Sequence, residues 1–156
     1  AQGFEGLERV SARQFADASR IASQRAAGAV AEPREGTILT VLRAWSDHLM
    51  AEADREPDFT RLLAGSVPAT KQAVLATTSQ LDVLGESGVV DAGAQGFLYF
   101  LEGVVDLMET GAADEELPLE EIQTELGKHG PMAEAESKYR YCTECLVSGT
   151  NLDKSA

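Results

Sequence analysis

Apolar residues recur every three to four positions along most of the chain, the spacing of helices that bury one face. The first run holds Phe15, Ala18, Ala22, Ala26 and Ala29, behind Ser11 and Gln14 at the spacing of a capping box. That face is small, so a neighbouring helix can approach closely. Pro33 is expected to end it. A second helix is predicted from Thr37, with Ile38, Leu42, Trp45 and Leu49 as its apolar stripe. A third begins behind Asp58, a preferred N-cap residue, and carries Phe59, Leu63, Val67, Thr70, Val74, Thr77, Leu81 and Leu84. Pro68 is expected to kink or split it, with a new short helix starting at Thr78-Ser79 and a stop at Gly85 and Gly88. A fourth is predicted over residues 92–109. Phe97, Leu101, Val104 and Met108 form its stripe, and Leu98 and Val105 widen it, which implies burial on more than one side.

After Gly111 the chain turns acidic and loses its periodicity. Pro118 is expected to open a short helix ending near Gly127, and Gly130-Pro131 is a breaker. The last segment alternates instead. Tyr139, Tyr141, Thr143, Cys145 and Val147 interleave with Arg140, Cys142, Glu144, Leu146 and Ser148, the period of a β-strand. One strand is not stable alone, so this one is expected to be exposed or poorly packed, its partners lying outside the chain. The expected organisation is an all-α antiparallel bundle over residues 1–111, an acidic linker over 112–137, and the start of a second domain with one strand over 138–156.

Composition narrows the class. The 156 residues are 44% hydrophobic and 25% charged, as in globular proteins. No apolar run is long enough to cross a bilayer, and no signal-peptide pattern opens the chain. Two cysteines are too few for a secreted disulfide scaffold, so a reducing, cytoplasmic setting is expected. The net charge is −13, which argues against a nucleic-acid partner. From Gln72 to Gly127 there is no Lys or Arg. A polyphosphate bound there would need metal ions or backbone N–H groups to offset its charge.

Two loops are candidates for chemistry. Glu35-Gly36-Thr37 precedes the second helix, where glycine admits close approach and the helix start offers N–H groups to an anion. On physical grounds alone it also reads as an ordinary αα-turn with Thr37 as N-cap. In the second loop, Gly88 to Gly96, Asp91-Ala92-Gly93 sets a cap residue and a glycine at the start of a buried helix. Asp91 there is either an acceptor for a ligand hydroxyl or simply a good N-cap. Cys142 and Cys145 form a lone Cys-x-x-Cys. Zinc would need two more ligands, for which only His48 and His129 are available, and on a strand the two thiols point to opposite faces. No metal site is assigned.

At these same places the chain resembles the ATP-binding subunit of bacterial fatty acid kinases. Pro33-Arg34-Glu35-Gly36-Thr37-Ile38-Leu39-Thr40-Val41 is similar to that family's Pro-Val-Glu-Gly-Thr-Ile-Leu-Thr-Val segment. Gly88 to Gly96 is similar to its Gly-Val-Val-Asp-Ala-Gly-Gly-Gln-Gly loop, and Tyr141-Cys142-Thr143-Glu144 to the Tyr-Cys-Thr-Glu segment that opens its middle domain. The resemblance implies the second half of an all-helical barrel of the DhaL type, shared with dihydroxyacetone kinase, that binds ATP with magnesium at one end. It implies that Glu35, Gly36, Thr37, Asp91, Ala92 and Gly93 sit at the nucleotide end, and that Cys142 has a role in activity. It further implies a kinase acting on a fatty acid held by a DegV-type binding protein, with the acyl phosphate feeding phospholipid synthesis, and allows a homodimer of the full-length form.

The departures are informative. Ala94 replaces a usual Gly, Arg34 a usual Val, and Cys145 a usual aromatic residue. The Asp-Gly-Asp-Thr-Gly segment that holds magnesium in the family, and the Gly-rich phosphate loop after it, are absent from this chain. The piece alone is therefore expected to be inactive. Two other readings stand beside this one: a DhaL-type phosphotransferase acting on dihydroxyacetone, and a non-catalytic acidic helical module that docks a basic partner.

Overall fold

The computed structural model of the protein describes residues 8–111. These form α1 (Ala12–Ala29), α2 (Ile38–Glu52), α3 (Phe59–Gln80), α4 (Asp82–Ser87) and α5 (Ala92–Thr110). The acidic linker 112–137, with its short helix from Pro118, and the strand within 138–156 lie outside the described residues. No helix among the described residues is long and apolar enough to cross a membrane.

The helix starts follow from their cap residues. The Ser11 hydroxyl accepts from the Gln14 N–H, and the Gln14 side chain accepts from the Ser11 N–H, a complete capping box. Asp58 accepts from the Arg61 N–H at 2.9 Å and opens α3. Asp91 accepts from the Ala94 N–H at 2.8 Å and opens α5. Gly88 and Gly111, at φ of 65° and 71°, close α4 and α5 in the left-handed conformation that glycine adopts without strain.

Three expectations are corrected. The buried face of α1 is Ala12, Ala16 and Ser19, while Ala22 and Ala29 are exposed. Alanines lie on several sides of this helix, so their spacing sets no unique phase. Next, Pro68 does not split α3, which runs from Phe59 to Gln80 with the proline inside it. That proline lies on the exposed side, where a carbonyl that has lost its helical N–H is open to water. Finally, the short helix begins at Asp82 rather than at Thr78-Ser79, and of the two glycines expected to stop it Gly85 lies inside the helix while Gly88 caps its end. Thr77 and Ser79 lie inside α3, where their hydroxyls donate to the carbonyls of Val74 and Ala76 one turn back.

Packing is antiparallel between neighbours. One core cluster joins Ala12 and Ala16 of α1, Leu49 near the end of α2, Leu62 and Leu63 near the start of α3, and Leu101 and Val105 late in α5. The other joins Val41 early in α2, Val74 late in α3, and Ala94 and Leu98 early in α5. Thus α2 runs against α1, α3 against α2, and α5 against α3. Trp45 binds the cluster together. Its ring lies 6.1 Å from Phe15 and 5.2 Å from Phe97, both edge-on, and its Nε1 donates to the buried Ser66 hydroxyl at 3.0 Å. The described residues are all-helical, as the periodicity predicts.

Candidate functional site

Antiparallel packing brings the starts of α2 and α5 to the end of α3, and both candidate loops meet there. Gly36 has φ of 78°, and a Cβ at this position would lie 2.9 Å from Leu81 Cβ and 3.0 Å from the Gln80 carbonyl carbon. Only glycine fits so close to the last turn of α3. Gly93 stands at the first turn of α5. A Cβ there would lie 3.3 Å from Asp91 Oδ1 and 3.5 Å from Ile38 Cβ, the first residue of α2. Glu35, Gly36, Thr37, Asp91, Ala92 and Gly93 thus share one end of the bundle.

The first loop is held by its own side chains. The Gly36 N–H donates to Thr40 Oγ1 at 3.0 Å, and that hydroxyl donates to Glu35 Oε2 at 2.8 Å. Arg43 donates to both Glu35 oxygens, at 2.8 Å and 2.6 Å. These bonds, the Arg43 fork first and the Thr40 hydroxyl second, hold the Glu35 carboxyl below its ordinary pKa. Thr37 occupies the N-cap position of α2 but makes no side-chain cap bond, because its hydroxyl donates to the Arg34 carbonyl at 2.8 Å. Of the first N–H groups of α2, that of Thr40 donates to the Thr37 carbonyl at 2.9 Å, which leaves those of Ile38 and Leu39 as the ones this helix start offers to an anion.

The second loop is held by α3. The Asp91 N–H donates to Thr77 Oγ1 at 3.0 Å, and Thr78 Oγ1 donates to the Val89 carbonyl at 2.8 Å. Asp91 spends one carboxylate oxygen on the cap of α5, and Ala92 and Gly93 are exposed beside it. Sequence reasoning did not pick out Thr40, Arg43, Thr77 or Thr78 as parts of this end. The Glu35–Arg43 and Asp91–Thr77 contacts cross eight and fourteen positions, and no short motif carries either spacing.

A cleft of about 230 Å³ adjoins the first loop, lined by Ser23 and Ala27 of α1 and by Arg34, Glu35, Thr40 and Arg43. Among the described residues, no three or more His, Cys, Asp or Glu side chains cluster in a way that would hold a metal ion. The described residues therefore do not fit magnesium. Cys142 lies outside the described residues.

Comparison with known proteins bears on the whole arrangement. The DAK2 domain model matches residues 1–106. Uncharacterized protein MG369 of Mycoplasma genitalium is 34% identical over 138 residues, covering 88% of this chain and 25% of the relative. Uncharacterized protein SERP0792 of Staphylococcus epidermidis is 30% identical, covering 94% of this chain and 27% of its own length. Protein YloV of Bacillus subtilis is 28% identical, covering 94% and 28%. The chain spans about a quarter of the length of these relatives.

Proposed function

The chain belongs to the DAK2 domain family, and from that premise we propose that it is part of a kinase subunit that transfers the γ-phosphate of ATP to a fatty acid presented by a DegV-type binding protein. The observation that carries this reading is the meeting of the two glycine loops at the end of α3, with Gly93 against Ile38 and Gly36 against Leu81. Such an end offers backbone N–H groups, a carboxylate at Asp91 and room for close approach, which suits the sugar or one phosphate edge of a nucleotide. The fatty acid as acceptor rests on the Glu35-Gly36-Thr37 and Tyr141-Cys142-Thr143-Glu144 segments. A second reading, a dihydroxyacetone kinase-like subunit, is favoured by the DAK2 match itself.

Phosphoryl transfer depends on positioning and charge neutralisation. A helix N-terminus contributes about 0.3–1 kcal/mol toward an exposed anion, against the roughly 8 kcal/mol of micromolar binding. Magnesium would supply the missing positive charge, and its ligands would come from parts of a longer polypeptide. Calorimetric titration of ATP with magnesium tests this. The expected result is weak or no binding by this chain and measurable binding by a polypeptide of the relatives' length. Micromolar binding by this chain alone would show that the phosphate-holding groups have been put in the wrong place. Failure of the longer form, with its DegV-type partner, to make an acyl phosphate would overturn the fatty acid reading, and turnover of dihydroxyacetone would favour the second one.

A further inference from the structure

Glu35 puts an anion beside a helix start that would itself take an anion. Thr40 is the third residue of α2, and its hydroxyl donates to Glu35 Oε2 at 2.8 Å, so the carboxylate lies against the first turn of that helix. The N–H groups which that turn offers to a ligand are those of Ile38 and Leu39. Unpaired N–H groups and the helix dipole both attract an acidic side chain, so a Glu35 carboxylate free to move would turn onto them. It would then take the place of a phosphate edge, and would repel any phosphate that came near.

Arg43 stands against this. It lies one turn beyond Thr40 and reaches back with both terminal nitrogens, Nη1 to Glu35 Oε1 at 2.8 Å and Nη2 to Oε2 at 2.6 Å. A planar guanidinium meets a carboxylate with this two-pronged fit, which fixes the carboxylate's direction as well as cancelling its charge. Here the direction is toward α1. Glu35, Thr40 and Arg43 line the cleft shared with Ser23 and Ala27, whereas Gly36 packs against Leu81 and Ile38 against Gly93. Thr40 completes the series by accepting from the Gly36 N–H at 3.0 Å, which ties the fork to the backbone of the loop. Arg34, the neighbouring cation, is turned to Glu32 at 3.8 Å.

We propose that Arg43 is a positioning residue for nucleotide binding: it holds the Glu35 carboxylate on the α1 side with its charge cancelled, and so keeps the Ile38 and Leu39 N–H groups available to a phosphate. The proposal rests on the nucleotide reading above and adds to it the residue that stops the loop from occupying its own site.

Arg43→Gln removes the fork and leaves the carboxylate. Glu35→Gln/Arg43→Gln removes both charges and keeps the net charge of the unmodified protein. In a polypeptide of the relatives' length, calorimetric titration of ATP with magnesium is expected to show Arg43→Gln weakened about three- to five-fold. The double variant is expected to return close to the unmodified affinity. A fork that only stiffened the loop would leave the double variant at least as weak as the single one. Both side chains are more than half exposed, Arg43 at 56% and Glu35 at 59%, so both variants are expected to fold, which circular dichroism checks. A second readout needs no nucleotide. In the 156-residue chain, the amide proton resonances of Ile38 and Leu39 are expected to move downfield in Arg43→Gln and to stay in place in the double variant, because only the single variant turns a carboxylate onto them. A double variant as weak as Arg43→Gln, or Ile38 and Leu39 resonances unmoved in Arg43→Gln, overturns the proposal. An unmodified longer polypeptide that binds no ATP takes the nucleotide reading down and the proposal with it, and the amide resonances tell that failure apart from a failure of the fork.

Discussion

The Asp91 N–H donates to Thr77 Oγ1 at 3.0 Å, so the residue that caps α5 is itself held by the last turn of α3. Thr77 is fully buried, and its hydroxyl works both ways, donating to the Val74 carbonyl at 2.6 Å while accepting from Asp91. Thr77→Val keeps the volume and removes both roles. It leaves the half-buried Asp91 N–H without that acceptor, at a cost of about 1–3 kcal/mol. Thr77→Ser keeps the hydroxyl and loses one methyl, about 1 kcal/mol or less. Urea unfolding that found Thr77→Val as stable as the unmodified chain would show that this bond does not hold the loop.

Gly36→Ala and Gly88→Ala separate crowding from backbone strain. Both glycines have positive φ, so alanine costs roughly 1–2 kcal/mol at either. Only at Gly36 would the new Cβ also meet Leu81 Cβ at 2.9 Å and backbone of Gln80 at 3.0 Å, while at Gly88 it meets nothing within 4 Å. Gly36→Ala is therefore expected to be the more destabilising by at least about 1 kcal/mol. Equal melting temperatures for the two variants would mean that the turn relaxes away from α3 freely.

Glu35 gives the first loop a pH dependence of known sign. Arg43, and after it Thr40, lowers the carboxyl's pKa in the folded chain. Stability from this contact is fully present above the ordinary glutamate value of about 4.3 and is lost as pH falls through the lowered folded value. Glu35→Gln removes that titration. Its stability curve is expected to run parallel to that of the unmodified chain at neutral pH and to be flatter below about pH 4.3. Carbon-detected titration of the Glu35 carboxyl is the direct check, and an ordinary value would show that the Arg43 fork is not formed in solution.

The sequence made some of this legible and hid the rest for physical reasons. Ser11, Asp58 and Asp91 cap their helices as their residue types suggest, because capping is a contact over three positions. The stripe of α5 was readable through Leu98, Leu101 and Val105, which are buried, whereas that of α2 was read out of phase: Thr40, Val41, Ser46 and Leu49 are buried, and Ile38, Leu42 and Trp45 are half-buried. Met108 was misplaced, and is exposed at the end of α5. The face of α1 was not readable because its alanines do not distinguish one side from another. Both loops of the candidate site stood out by their glycines. That they share one end follows from antiparallel helices and was expected; the link that holds the second loop was not, because it is a buried threonine near the end of α3, and threonine in a helix interior carries no sign of what its hydroxyl will bind.

Gly93 offers the sharpest separation of fold from ligand. It lies in the first turn of α5 with ordinary helical backbone, so alanine would favour the helix there by up to about 1 kcal/mol. Against this, the new Cβ would stand 3.3 Å from Asp91 Oδ1 and 3.5 Å from Ile38 Cβ, a tight but not prohibitive fit that asks Asp91 to give by a few tenths of an ångström. The net change in stability is therefore expected to be small, within about 1 kcal/mol of zero. The gap between the two loops would nonetheless be narrowed by a methyl group. If a nucleotide approaches α5 through that gap, Gly93→Ala in a polypeptide of the relatives' length should weaken ATP binding several-fold while leaving its melting temperature almost unchanged. Asp91→Ala should do otherwise, weakening binding and also removing a helix cap at a cost of about 1 kcal/mol. Unchanged ATP affinity in Gly93→Ala, measured beside a normal melting curve, would take the nucleotide away from this end of the bundle.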